Sequence, residues 1–479
     1  LIVLSLVIFL SVVIYSATSW ATKPIPAEQR EYRNMAISLA MLIDNRFDFI
    51  APAQYSVSAT HLNGIIDMPK IKEDVEKRKS NGKVSYEEVR PVLGMVRGDD
   101  LGGILYNYAA IKTLGWHNAA LTAFWLIPMG FSILIILARF FKRKDVLILT
   151  SVMILATHFV ILFDPVSSYL TTSSTRVYFI GGIFPLLYLA LMIGRKITIY
   201  ELPIIIIQSI IFTFFYLVRS TLIVGIVILS LMIFYMLIRS IVSSRKSNEN
   251  LQKNEDFKPP WLTLKSGMVV LITLIITISG AKSTINSLKN KDLYDDNYVT
   301  SHVFWHPVLL SLHNDMDNKF QIRFNDGFSG SMAVAGGYVD EYPDISSKEA
   351  DMAFRKLYID LFLSSPSTFI KHYAYKELKI LTDAYISMMD AFTKPYTIIF
   401  LPILVMFFSA FCFINSGKLG SDLIAYLILG SSLFSLEPLL ASNQDIFRIS
   451  VSLFLYSILL IYIAKNVKKL LNKFIRSKK

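Results

Sequence analysis

The sequence predicts an all-α polytopic membrane protein with about ten transmembrane helices and two long outer-face loops that bear surface helices. Of its 479 residues, 53% are hydrophobic and only 18% are charged, a composition typical of membrane proteins. The apolar residues are concentrated in runs of about 17–25 residues, which can cross a hydrocarbon layer of about 30 Å as helices. Lysine and arginine gather beside alternate runs, as they do in cytoplasmic loops.

The apolar runs also define the organisation of the chain. They lie near 1–18, 119–141, 145–163, 177–194, 200–217, 220–242, 266–284, 396–414, 421–439 and 447–465. The resulting segments are a first transmembrane helix (1–18), a first outer loop with two surface helices (19–118), transmembrane helices two to seven (119–284), a second outer loop (285–395), and the last three helices with a basic tail (396–479).

The orientation follows from the basic segments, which lie at 141–145, 194–196, 239–258 and 465–479. Positive charge favours the cytoplasmic side, so these segments predict a multi-pass protein of the cytoplasmic membrane with both termini inside. The two long loops then share the outer face. The first run also resembles a cleaved signal peptide, but a retained helix completes the charge pattern.

The formal net charge of +12 is explained by this topology, because the basic residues lie beside apolar runs and not on one soluble face. We therefore expect the lipid bilayer as a partner and no nucleic acid. The single cysteine, Cys412, excludes an intramolecular disulfide and a cysteine-rich metal site.

Two acidic sites mark the first outer loop. Glu28 and Glu31 are three residues apart in PAEQREYRNMAISLA, whose apolar residues recur at helical spacing. Asp99 and Asp100 follow Gly98 and precede the apolar run LGGILYNYAAIKTLGW, a second predicted surface helix. Either pair could supply a general base. The alternatives are a solvated helix start for the glutamates and a helix cap for the aspartates.

Arginines lie at the outer ends of several apolar runs. Arg219 occupies the tight turn between the runs near 200–217 and 220–242, and Arg176 and Arg448 lie in other outer segments. Positive charge on the outer face opposes the usual bias, which favours a phosphate-binding role for these three residues. Interfacial anchoring is the alternative. Lys282 is a weaker phosphate candidate.

The second outer loop contains a cluster of aromatic and imidazole side chains, with His302, Trp305, His306 and His313 in SHVFWHPVLLSLH. The i, i+4 spacing of His302 and His306 would put both imidazoles on one helical face, although Pro307 makes a helix start more plausible there. These residues predict either a substrate pocket or an interfacial belt. The sequence has no HExxH pattern, so it gives no support for a zinc hydrolase.

Several segments, taken in order, resemble the type C (GT-C) membrane glycosyltransferases, the superfamily of protein mannosyltransferases and lipid A aminoarabinose transferases. The segments are PAEQREYRNMAISLA, RGDDLGGILYNYAAIKTLGW, FTFFYLVRSTLIVGIVILSL, LFLSSPSTFIKHYAYKELKIL and NQDIFRISVSLFLYSILL. Each motif is short and degenerate, so the specificity of the resemblance lies in the ordered set.

The resemblance implies transfer of a hexosyl or pentosyl group from a polyprenyl-phosphate sugar to a glycan, lipid or protein acceptor at the outer face. It implies that Glu28 occupies the position of the usual catalytic Asp, a departure that leaves Asp99 or Asp100 as alternative bases. Arg219, Arg176 and Arg448 would bind phosphate. His302, Trp305 and His306 would contact substrate. Some members of the superfamily use a divalent metal, but no spacing here demands one.

Two other classes remain open on the sequence. A polysaccharide polymerase or ligase that uses lipid-diphosphate sugars would share a late outer loop rich in arginine and histidine, but the long first loop argues against it. A transporter or a non-catalytic membrane subunit is the other class. Charged residues are nearly absent from the middle of the apolar runs, which disfavours a transporter.

Overall fold

We analysed the fold on a computed structural model of the chain. The residues described are 7, 10, 25–26, 35, 37–39, 41–42, 65–80, 102–117, 120, 124–143, 146–147, 149–151, 153–154, 157, 176–218, 222–246, 260–288, 305–314, 326–341, 343 and 347–393. The predicted spans near 396–414, 421–439 and 447–465 lie outside this set.

The described part of the chain is helical apart from one short antiparallel pair, in which β1 (Ile25–Pro26) pairs with β2 (Ile65–Ile66). The helices, numbered in chain order, are α1 (Met68–Ser80), α2 (Gly102–Leu114), α3 (Leu126–Arg139), α4 (Arg176–Met192), α5 (Leu202–Val218), α6 (Ile223–Lys246), α7 (Pro260–Leu288), α8 (Trp305–Leu310), α9 (Asp326–Ala335), α10 (Lys348–Ser364) and α11 (Pro366–Thr393). A 3₁₀ turn, Ser311–Asn314, follows α8.

Helix α5 is the centre of an apolar bundle. It packs against α4, α7, α3 and α2, and α6 packs against both α7 and α4. Polar side chains pair between the helices, since the hydroxyl of Ser132 donates to the Gln208 side-chain oxygen at 2.7 Å and Thr213 bonds Thr277 at 3.2 Å. Such pairs satisfy hydroxyl groups that an apolar environment would otherwise leave without partners.

The outer surface of this bundle is apolar. Two helices, Gly225–Val242 within α6 and Pro260–Leu288, are long and apolar enough to cross a membrane, and α3, α5 and part of α4 are shorter apolar helices. Large apolar side chains such as Phe131, Phe234 and Ile276 are exposed on them. Contiguous exposed apolar surface of this kind is what a bilayer covers. These helices coincide with predicted runs, whereas the count of ten spans is not tested.

The predicted second surface helix of the first loop is present as α2, and one face of it is buried against α5. A Cβ atom built at Gly102 would overlap the backbone carbonyl of Leu217, so only glycine allows the two backbones to approach this closely. Beside this contact, the Tyr106 ring packs on Phe124 at 5.3 Å and on Phe214 at 5.9 Å between ring centroids.

The first loop is also tied to α2 from its other side. Met35, Ile37, Leu39 and Met41 are helical and buried, and the hydroxyl of Ser38 donates to the carbonyl of Ile104 at 2.9 Å. The two predicted surface helices of the first loop therefore contact each other, and the second of them contacts the bundle.

At the other end of the bundle, Arg139 forms an ion pair with the buried Glu201, at the predicted cytoplasmic ends of α3 and α5. The N–H of Thr198 also donates to Glu201 Oε2 at 2.8 Å. The hydrogen bonds from Thr198 and Arg139 provide partners for both oxygens of this buried carboxylate.

The second outer loop forms its own helical group, with α8 packed against α10 and α9, and α11 against α10. Its buried core includes Leu309, Phe354, Leu357 and Phe369. The sequence of residues 351–381 predicts one amphipathic helix. The structure has two helices, α10 and α11, because the helix is interrupted at Ser365. Pro366 follows, and helical geometry is disfavoured for the residue that precedes a proline.

Gly102→Ala tests the approach of α2 to α5. The added methyl group meets rigid backbone, so we expect the variant to lose about 1–3 kcal/mol of stability, the usual penalty for overpacking. The matched control is Gly280→Ala in α7, where nothing lies within 4 Å of the added carbon and helix propensity favours alanine. Thermal unfolding in detergent micelles measures both, and equal midpoints in the two variants would contradict this contact.

Candidate functional site

The structure describes the side chains of three of the residues that the sequence singled out, Trp305, His306 and Lys282. The backbone of Arg176 begins α4, but its side chain is outside the described set. The remaining predicted site residues fall outside the described residues altogether, namely Glu28, Asp99, Asp100, Arg219, His302 and Arg448. Their roles stay predictions.

Trp305 opens α8 and is fixed from α10. Its backbone N–H donates to Asp351 Oδ1 at 2.9 Å, which caps the helix start that Pro307 predicted. The indole ring packs on Tyr358 at 5.8 Å between centroids, and the Arg355 guanidinium lies over it at 5.8 Å. The ring remains partly exposed, so stacking on a sugar remains compatible with this geometry.

His306 lies deeper in the same group. It is 8% exposed, and its ring centroid lies 5.4 Å from that of Phe354. Contact of this imidazole with apolar core residues of α10 supports a packing role. A role in substrate binding is a separate prediction that this contact does not test.

The most concentrated polar chemistry of the group surrounds the carbonyl of Ser311. The Lys376 ammonium donates to this oxygen at 3.1 Å, and His372 Nε2 lies 3.3 Å from it. Both side chains are buried on one face of α11, four residues apart. The Tyr373 hydroxyl approaches the Ser311 hydroxyl at 3.4 Å and also hydrogen-bonds the Tyr358 hydroxyl.

Burial dominates the electrostatics of this cluster. It lowers the pKa of the Lys376 amine to about 7, because the charged form loses its hydration. Burial also raises the pKa of the Tyr373 hydroxyl and, more strongly, that of Tyr358, whose hydroxyl also faces Tyr373. Near neutral pH, Lys376 can therefore donate or accept a proton, and both tyrosines remain hydroxyl donors.

The sequence contained a signal for this cluster that we did not interpret. His372 and Lys376 lie at i, i+4 in KHYAYKELK, within an otherwise amphipathic helix. Their burial depends on Ser311, which is 61 and 65 residues away in the chain, so helical spacing alone could not distinguish this face from a solvated one.

A second group of candidate residues lies at the predicted outer end of the bundle, where α2 meets α5. The exposed Lys282 ammonium lies over the Tyr216 ring, 5.0 Å from its centroid. Tyr216 immediately precedes Leu217, the residue that Gly102 contacts. Asp100 precedes Gly102 by two residues and Arg219 follows Leu217 by two. This end of α5 therefore adjoins the segments that carry the predicted base and the predicted phosphate ligand.

Within the described ranges, no three His, Cys, Asp or Glu side chains lie close enough together to hold a metal ion. The aspartates that could supply metal ligands alongside the histidines, Asp99, Asp100 and Asp164, are outside those ranges. A divalent metal thus remains a prediction of the sequence resemblance.

Comparison with known proteins gives a similarity to a solved structure. No protein family model and no curated protein matches the chain. Among solved structures, the chain is similar to the crystal structure of ArnT from Cupriavidus metallidurans bound to undecaprenyl phosphate, with 12% sequence identity over 94% of this chain and 77% of that chain, and a TM-score of 0.25. A likeness at that TM-score carries no argument about the fold or activity of this chain.

Lys376→Met tests the buried amine. The pKa of Lys376 in the folded protein lies below its ordinary value of 10.5. Between about pH 7 and 10.5, the unfolded chain therefore binds more protons than the folded protein does. The stability of the wild-type protein should therefore rise with pH through this window, and the penalty for the buried charge is fully present below it. Methionine removes the charge at similar volume, so the variant should be more stable than wild type at pH 7, by a margin that shrinks towards pH 10.

The control is Lys371→Met, at an exposed position of the same helix. It should preserve the wild-type pH dependence. Thermal unfolding followed by intrinsic fluorescence at several pH values measures all three proteins. A Lys376→Met profile parallel to that of the wild type would show that the amine is not buried.

Proposed function

We propose that this chain is an integral-membrane glycosyltransferase that moves a sugar from a polyprenyl-phosphate donor to an acceptor at the outer face of the cytoplasmic membrane. The ordered set of sequence motifs supports the proposal. So does one structural observation, the contact of α2 with the end of α5, since it joins the acid-bearing first loop to the turn that contains Arg219.

This contact matters because a transfer that inverts the anomeric carbon requires a base and a phosphate ligand on opposite sides of that carbon. Consecutive Cα atoms are about 3.8 Å apart, so the two-residue links from Gly102 to Asp100 and from Leu217 to Arg219 permit these side chains to meet. The Ser38–Ile104 hydrogen bond ties the helix that follows Glu28 to the same α2. Both candidate bases are therefore connected to this end of the bundle.

In its inverting form, the proposed reaction proceeds in one coupled step. A carboxylate accepts the proton of the acceptor hydroxyl, and in the same step the hydroxyl oxygen bonds to the anomeric carbon. This carboxylate belongs to Glu28, Asp99 or Asp100. The bond from that carbon to the phosphate oxygen breaks, and its electron pair leaves with the polyprenyl phosphate. Arg219, with Lys282 close to this end of α5, stabilises the charge that develops on the leaving phosphate.

The second outer loop would select the acceptor. Its helices present the partly exposed Trp305 ring, whose position is fixed by Asp351 and Arg355, and aromatic rings can stack on the apolar face of a sugar.

The described middles of α3 to α7 contain no acidic or basic residue, which disfavours an ion-coupled transporter.

Amide substitutions test the proposal. In proteoliposomes supplied with a polyprenyl-phosphate sugar, removal of the true base among Glu28→Gln, Asp99→Asn and Asp100→Asn should reduce turnover about 10²- to 10⁴-fold. The matched control is Asp340→Asn, at an exposed position of the second outer loop. Full turnover in all three amide variants would remove the mechanism.

Arg219→Gln tests the phosphate ligand separately. Loss of a donor that acts on developing charge should lower kcat about 10²- to 10³-fold, with a smaller loss in Arg219→Lys because one charged donor remains.

The lipid that accumulates in cells that lack the protein distinguishes the two enzyme classes. A lipid-diphosphate sugar would indicate a polymerase or ligase, and a lipid-monophosphate sugar supports the transferase.

A further inference from the structure

The helices of the second outer loop carry apolar side chains on two faces, and one of these faces is exposed. In α10, Phe354 and Leu357 are buried, whereas Met352, Ile359 and Leu363 form a second stripe at i, i+7 and i+11. Leu363 is 66% exposed. A stripe of this length on the outside of a folded group indicates contact with something other than water.

Helix α11, beyond the bend at Ser365, also carries exposed apolar side chains. Ile370 and Leu378 are 67% and 63% exposed, and Ala374 lies between them at i, i+4 spacing. The opposite side of the helix is buried through Phe369, His372 and Lys376. We refer to the exposed residues Met352, Ile359, Leu363, Ile370 and Leu378 as the apolar corner.

Basic residues outnumber acids among the exposed charged side chains described on α10 and α11, with Lys348, Arg355, Lys356 and Lys371 against Glu349 and Asp360. Lys356 and Lys371 are exposed next to the two stripes, at positions one turn from Ile359 and beside Ile370. The exposed acid of α10 nearest to them, Asp360, is engaged by the Tyr338 hydroxyl at 2.6 Å. Exposed apolar residues flanked by lysines are typical of helices that lie in the headgroup region of an anionic membrane.

The chain connection points to the same partner. Helix α11 ends at Thr393, three residues before the apolar run near 396–414, so its end adjoins a predicted membrane span. We propose that the apolar corner inserts into the headgroup region of the outer leaflet and binds anionic phospholipid. The second outer loop is then a membrane-bound platform and not a freely solvated domain.

This inference rests on membrane embedding of the bundle and not on the transfer reaction. Anchoring at the headgroups would keep the second outer loop at the depth where a lipid-linked phosphate lies. This holds for a transferase and for a polymerase or ligase, because both use lipid-linked sugars. Lys376 and the Ser311 carbonyl fix α11 to the 3₁₀ turn on its buried side, so insertion of the exposed side need not disturb the core.

Spin labels can locate the apolar corner. In a Cys412→Ala background, single cysteines replace Leu363 and Ile370, and the labelled full-length protein is reconstituted in vesicles of phosphatidylcholine and phosphatidylglycerol. Collision rates with oxygen and with a water-soluble nickel chelate report depth. Labels at Ile276, an exposed position of α7, and at Asp340 are the lipid and water controls.

We expect the labels at Leu363 and Ile370 to favour oxygen over the nickel chelate, as the label at Ile276 does. Preference for the chelate, as at Asp340, would overturn the inference while leaving the proposed function intact. Protection from both reagents would also overturn it, because it would indicate a protein partner or a second copy of the chain. A water-exposed label at Ile276 would overturn membrane embedding and the proposed function as well.

The charge contribution has its own measurement. In vesicles of phosphatidylcholine alone, and in the double variant Lys356→Gln with Lys371→Gln, the two labels should move towards the aqueous phase. The same depth with and without anionic lipid would overturn the recognition of anionic headgroups. Circular dichroism of each variant checks that the helices remain folded.

Discussion

The close packing around α5 is the constraint on which the rest of the bundle depends. This helix touches α2, α3, α4 and α7, and each approach uses either a glycine or a paired polar group. In an apolar environment, the hydrophobic effect does not drive one helix onto another, so short backbone distances and hydrogen bonds provide the specificity. The Gly102–Leu217 approach extends this principle to the first outer loop, because it fixes α2 to the end of α5.

In its described part, the second outer loop is stabilised by its own buried apolar core and not by packing against α5. Its helices bury Phe354, Leu357 and Phe369 on one side, as a soluble domain does, and expose a second apolar face on the other. The Ser311 carbonyl organises the buried polar groups, because Lys376 and His372 both reach it from α11. Burying an amine is unfavourable, and the hydrogen bond offsets part of that penalty while specifying how α11 sits on the 3₁₀ turn.

These two parts supply different elements of the proposed reaction. The α2–α5 contact joins the segments that bear the candidate base and the candidate phosphate ligand, and the second outer loop offers the partly exposed ring of Trp305. The ion pair between Arg139 and Glu201 lies at the opposite, predicted cytoplasmic end and fixes α3 to the turn before α5. Chemistry and structural reinforcement are therefore assigned to opposite ends of the same helices.

The sequence by itself determined the helical class, the positions of α3 to α7, the surface helix α2 at Gly102–Leu114 and the start of α8 near Pro307. These features depend on local properties, namely apolar run length, helical spacing and proline geometry. Only the tertiary structure decided that Lys376 is buried on Ser311, that Gly102 touches Leu217 and that the late helix divides into α10 and α11 with a second exposed apolar face. Burial and backbone contact join residues far apart in the chain, and no local pattern specifies which distant surface a given helical face will meet.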